Sequence, residues 1–420
     1  MTAEVSASEV SAEVSRLLTF AQGARTDAGF GVLDASGDVE PASPAELWIQ
    51  CRMTHVFGLA TMLEPGWGDA QDLLDHGVET LLGTWQDSRF GGWFASVDAQ
   101  TGGVVDDRKD AYAHAFVLLA GATATSAGHP SGRLLHDRAL EVLAARFWEE
   151  APGMVADSCD RSFGTCDSYR GLNANMHAVE ALLASHDLTG ESWPLAAATR
   201  IAERVCDVLG PDFGWRLPEH FDSDWVPMRD FNVADPADPF RPYGVTIGHL
   251  LEWGRLLLHL HVARGPSLDQ EPDLVGAATA LTRAAVRDGW HADGADGFVY
   301  TIDFEGTPVV RERMHWVCAE AMANATMRAS LDVDPTAAVD HDRWLGFALN
   351  HHRDLVGGSW WHELDSQLRP SATVWAGKPD VYHALQALWL PRLVATAGAC
   401  VSFAGAASRI PDRGSEERPL

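Results

Sequence analysis

The sequence predicts an all-α fold: an (α/α)6 barrel of alternating inner and outer helices, with short β-hairpins over the mouth that holds the site. Three observations carry this. One histidine recurs near the start of six apolar helical segments, amphipathic stretches alternate with those segments, and Gly-aromatic pieces of strand character follow several of the amphipathic stretches. A repeat of this kind dictates architecture, because each unit can bury its apolar face only against its neighbours.

The six histidine segments are RMTHVFGLATM, AYAHAFVLLA, ANMHAVEALLA, TIGHLLEWGRLLL, RMHWVCAEAMA and DVYHALQALWL. They carry His55, His114, His177, His249, His315 and His383, which lie 59, 63, 72, 66 and 68 positions apart. Each segment is apolar nearly all round, which marks a helix buried on most sides. The stretch 69–87, DAQDLLDHGVETLLGTWQD, instead aligns Leu74, Val78, Leu81, Leu82 and Trp85 on one stripe and acids on the other. That is an outer helix with one wet face. Comparable stretches lie near 6–20, 131–148, 193–209, 272–288 and 336–355, which completes twelve helices. The pieces GGWFASVD, FGWRLPEHFD, DGFVYTIDFEG and GGSWWHELD, each followed by a turn and a second extended piece, predict the hairpins. All six histidines are expected to converge on the mouth that these hairpins cover.

One barrel over residues 1–403 accounts for nearly the whole 420-residue chain, and the polar segment 404–420 reads as a disordered tail. The balance of 31 basic against 59 acidic residues gives a formal charge of −28, which repels nucleic acid and anionic membranes. The N-terminus MTAEVSASEVSAEVSRLL has no secretory pattern, and no apolar run approaches a membrane span. Six scattered cysteines do not form a disulfide framework. Cys159 and Cys166 flank a loop and can pair, but the expectation is of idle, reduced thiols in a cytoplasmic enzyme. The expected assembly is a monomer or small homo-oligomer.

A ring of imidazoles with aromatics and a few charges defines a pocket for a polar ligand. His249 and His383 have the sharpest surroundings, each following a loop rich in Pro, Gly and polar groups. Glu252 lies three residues after His249 on one helical face and is expected to orient it; His177 and Glu180 repeat that spacing. No metal is expected, since imidazoles outnumber the clustered oxygen ligands a hard cation needs. Arg52 and Arg241 are candidates for holding hydroxyls or an anionic group, Lys378 could serve the latter role, and Trp316 and Trp375 offer flat faces for a sugar ring. His259 and His261 lie further along their helix and read as structural.

The motifs RMTHVF (52–57), NANMH (173–177), FRPYGVTIGHLLEW (240–253), RMHWVCAEA (313–321) and VWAGKPDVYHALQA (374–387) together resemble the N-acylglucosamine 2-epimerase superfamily. Within it the resemblance is to the branch of mannose and sulfoquinovose isomerases, from about residue 45 to 395. It implies His249 and His383 as the acid/base pair, with Arg52, Tyr112, Asn173, His177, Arg241, Glu252, Trp316 and Trp375 lining a sugar site and a role open for Glu320. Epimerases on N-acyl sugars or disaccharides tend to carry paired tryptophans and a Gln where this chain has Trp316-Val317-Cys318, which points to the isomerase branch.

The implied chemistry is metal-independent and cofactor-free interconversion of D-mannose and D-fructose, or of D-lyxose and D-xylulose, through a cis-enediolate. A base is needed against carbon 2, and neutral histidine suits that task near neutral pH. Sulfoquinovose isomerisation and 2-epimerisation are alternatives within the family. An inverting glycoside hydrolase is an alternative outside it, with Glu252 and Glu320 as two carboxylates about 6.5–9.5 Å apart. A non-catalytic sugar-binding protein is the third.

Overall fold

The computed structural model describes residues 5–265 and 272–410. Six inner helices, Leu47–Leu63, Ala111–Ser126, Leu172–Thr189, Ile247–Arg264, His315–Ser330 and Tyr382–Ala397, each hold one of the repeating histidines. Six outer helices, Ala7–Ala21, Ala70–Leu82, Gly132–Val142, Ser192–Glu203, Leu274–Gly289 and Ala337–Phe347, alternate with them. Three outer helices run on into a wider π turn, at Leu143–Phe147, Arg204–Leu209 and Ala348–His352. The expected barrel is therefore observed.

Burial follows the sequence pattern. The first inner helix is buried from Leu47 through Leu63 with few breaks, whereas Ala70–Leu82 buries only the stripe that includes Leu74, Gly77, Val78 and Leu81. Trp85, Trp93, Trp253, Trp344, Trp360 and Trp389 are fully buried. Truncating one such side chain costs about 3–5 kcal/mol.

The strands refine the hairpin expectation. Each short strand after an outer helix makes its own hairpin return, but it also pairs with the strand that led into the preceding inner helix. Ser96–Val97 pairs with Ala45–Glu46, Ser158–Cys159 with Lys109–Asp110, and His220–Phe221 with Arg170–Gly171. Thr301–Ile302 pairs with Val245–Thr246, and Glu363–Leu364 with Arg313–Met314. The Lys378 N–H, donating to the Leu33 carbonyl, brings the lead of the last inner helix against the segment after the first outer helix. These ladders hold each inner helix start at one end of the barrel.

Two expectations change. Cys159 and Cys166 form a disulfide: they face each other across a hairpin with Cα atoms 3.8 Å apart, so the turn places both sulfurs together. The other four cysteines are buried and free. Residues Phe403–Ser408, at the start of the segment read as a tail, form a buried helix against the far end of the barrel; 411–420 lie outside the described residues. Among the described residues no helix is long and apolar enough to cross a membrane.

Candidate active site

At the ladder-bound mouth lies a cavity of about 730 Å³, measured with its open entrance. His177, His249, His315 and His383 line it, with Arg52, Tyr112, Asn173, Glu252, Trp316 and Trp375. Two of the six ring histidines do not. His55 sits two turns into its helix, where its ring bonds Thr123 and Gln386, and Trp48 and Arg52 take the mouth-facing positions instead. His114 is held by the Trp93 N–H and the Asp110 carbonyl, and Tyr112 faces the cavity in its place.

His249 and His383 each form a pair with a glutamate. His383 Nδ1–H donates to Glu320 Oε1 at 2.9 Å, and His249 Nδ1–H donates to Glu219 Oε1 at 2.9 Å. A carboxylate on Nδ1 fixes the tautomer and leaves the Nε2 lone pair of a neutral ring available. Burial holds the His383 pKa below its usual value, so the ring is neutral at neutral pH. Trp316 lies between the two rings, its centroid 5.3 Å from that of His249 and 5.7 Å from that of His383. Gly248 makes this possible, because a Cβ there would collide with the indole.

The expectation that Glu252 orients His249 is corrected. Glu252 accepts from Arg255 Nη2 at 3.3 Å, while Glu219, the residue just before the strand His220–Phe221, reaches the imidazole. Glu219 was legible in FGWRLPEHFD, but that piece reads as a cover and not as a carrier of an acid. Burial, and then repulsion from Glu320, push the Glu252 carboxyl well above its usual range, which favours its protonated form at the cavity wall.

Arg52 donates to Tyr112 Oη at 2.9 Å and to Asp380 Oδ2 at 3.2 Å, with its guanidinium 4.6 Å from the Phe116 ring centroid and 4.7 Å from that of Tyr382. Asn173 Oδ1 is buried at the cavity with no hydrogen-bond partner among the described residues, an acceptor waiting for a donor. Trp48, Phe240 and Trp375 pack edge to face around the entrance. Glu363 holds the Trp375 loop by accepting from the N–H groups of Thr373, Val374 and Trp375 and from Ser371 Oγ. The sequence reading missed Glu219, Trp48, Phe240, Tyr300, His362 and Asp380.

Three expected residues stand outside the cavity lining. Arg241 turns away to Asp157 Oδ2 at 2.8 Å and lies 3.9 Å over the Tyr169 ring, leaving its neighbours Phe240 and Pro242 at the entrance. Lys378 is sealed against Asp354 Oδ2 and the Gly358 carbonyl, each at 2.7 Å. Glu320 lies behind His383. For a metal, His177, Glu180 and Glu252 bring donor atoms within 4.8 Å of one another. Arg255 already places a cation 3.3 Å from Glu252 and 3.7 Å from Glu180.

The profile of the N-acylglucosamine 2-epimerase (GlcNAc 2-epimerase) family matches residues 29–387. A D-mannose isomerase of Thermobifida fusca is 46% identical over 385 residues, covering 91% of this chain and 93% of the relative. A D-mannose isomerase of Pseudomonas cannabina pv. alisalensis is 39% identical, covering 94% of each. A D-mannose isomerase crystal structure superposes with a TM-score of 0.83 at 27% identity, covering 92% of this chain and 98% of the other.

Proposed function

The chain belongs to the N-acylglucosamine 2-epimerase family, and from that premise we propose that it is an aldose–ketose isomerase interconverting D-mannose and D-fructose without a metal. The observation that carries the reading is the two histidine–glutamate pairs facing one cavity on either side of Trp316. The D-mannose isomerase relatives support the choice of sugar.

In this reading His249 opens the pyranose ring and serves the proton that moves between the carbon 1 and carbon 2 oxygens. His383 Nε2 takes the carbon 2 proton; the electron pair of that C–H bond becomes the double bond of a cis-enediolate, and the proton returns to carbon 1. Charge developing on oxygen is met by Arg52 and by the protonated Glu252, donors in the wall of the cavity. The assignment between the two histidines follows burial: the drier ring stays neutral and keeps its lone pair for the weakly acidic carbon.

A neutral sugar suits the lining better than a sulfonated one. Arg52 is already paired with Asp380, and Arg241 and Lys378 are tied elsewhere. An inverting glycosidase is disfavoured because Glu320 lies behind His383 and does not line the cavity, so the two carboxyls do not face each other across it. The test is a panel of D-mannose, D-lyxose and sulfoquinovose assayed with and without EDTA. Fructose from mannose, unaffected by chelation, is expected; no turnover of mannose, or loss of activity on chelation that added metal restores, contradicts the proposal.

A further inference from the structure

Beneath the sugar cavity, one fully buried cation sits among three carboxylates. Arg255 Nε donates to Glu320 Oε2 at 2.8 Å, Nη2 donates to Glu252 Oε1 at 3.3 Å, and Nη2 lies 3.7 Å from Glu180 Oε1. Glu320 is a bridge, since its other oxygen holds His383 Nδ1. Arg255 does not line the sugar cavity. On its far side is a second, smaller cavity lined by Glu180, Arg255, His259 and Phe403, where the C-terminal helix plugs the barrel. The Phe403 ring lies 5.7 Å from the guanidinium, and His259 Nδ1 bonds the Cys400 carbonyl at 2.7 Å, so the plug covers this layer.

We propose that Arg255 is a positioning residue for the reaction: through Glu320 it fixes the ring and the tautomer of His383, the base that the isomerase reading requires. Three buried carboxylates cannot all stay ionised without a cation, because each desolvated charge repels the others in a medium of low dielectric. With Arg255 held nearest Glu320, burial and repulsion from Glu320 favour the proton on Glu252. Burial alone would raise the Glu320 carboxyl, but Arg255 and His383 outweigh it and hold it at about 2. An ionised Glu320 can only accept, so His383 must present N–H to it and its lone pair to the sugar. Remove the cation and Glu320 becomes a second candidate for a proton. A protonated Glu320 that donates to Nδ1 would reverse the tautomer and abolish the base.

A double-mutant cycle on kcat separates this role from a merely structural one. Arg255→Gln is expected to lower kcat about 30-fold at nearly constant KM, a part of the ~10²–10⁴-fold that a positioned base contributes. Its acid limb should move to higher pH, since Glu320 must now lose a proton before His383 can work. In a Glu320→Gln background the same change should cost less than about twofold. Arg255→Lys, which keeps the charge, should retain most of the wild-type rate; if Arg255→Gln does not fold, the cycle is run with Arg255→Met, with a loss confined to the background that keeps Glu320. Equal losses in both backgrounds, or a loss in KM alone, overturn the inference. Wild-type protein that fails to isomerise D-mannose overturns the underlying reading instead, so the two failures are distinguishable.

Discussion

His249 with Glu219 and His383 with Glu320 share one geometry, a 2.9 Å hydrogen bond from Nδ1 to a glutamate, in two different settings. The first pair joins an inner helix to the residue just before the strand His220–Phe221, and the His249 side chain is 13% exposed. The second joins two inner helices, its histidine is 6% exposed, and its glutamate is tied below to a buried arginine. The difference teaches that a repeated fold can place similar acid/base units at two depths. The outer one is suited to exchanging protons near solvent during ring opening. The inner one is suited to holding a proton apart from water while carbon chemistry occurs.

The sharpest way to break this comparison is to remove each ring. His383→Ala should slow exchange of the carbon 2 hydrogen by about 10³-fold or more, and His249→Ala should slow overall turnover by about 10²-fold. Equal and small effects would erase the distinction between the pairs. Changing the glutamates sharpens it: Glu320→Gln is expected to lower kcat about 100-fold, and Glu219→Gln about 10-fold, because water can partly replace the partner only at the outer site. Kinetics with D-mannose would decide, and the reverse order would exchange the roles.

Much of this contrast was legible in the residues and some was not. The six inner helices, their order and the outer amphipathic helices followed from histidine spacing and from apolar periodicity, which are local signals. His249, His383, Arg52, His177 and Trp316 were identified for the same reason, each lying in or just before the first turns of a repeating helix. The partners were not legible. Glu219 and Glu252 are both plausible neighbours of His249, and only the direction of a side chain at the barrel axis distinguishes them. Arg241 was misread because Asp157, which captures it, lies 84 positions away. The Cys159–Cys166 bond was missed because a hairpin register, not composition, brings the two residues together.

Smaller effects test the electrostatics. Because burial lowers the His383 pKa below the ordinary value of 6.5, the acid limb of kcat for the wild-type enzyme should fall below pH 6.5. A limb well above that pH would place the essential group elsewhere. At the rim, away from both pairs, Glu46 is pushed up to about 7 by burial and then by Asp106, with Asp110 adding to it. A carboxyl raised in the folded state is penalised only once it ionises, so the penalty is absent below about pH 4 and complete above about pH 7. Glu46→Gln should therefore raise the melting temperature by about 2 °C at pH 8 and leave it unchanged at pH 4. A pH-independent shift would contradict this origin.

The most direct test follows D-mannose in heavy water by NMR with the wild-type protein. The shared-cavity account predicts D-fructose whose carbon 1 carries mainly the hydrogen taken from carbon 2, with a minor share of solvent deuterium, and both lost in His383→Ala. Fructose with carbon 1 fully exchanged with solvent deuterium, or glucose as the sole product, would contradict it.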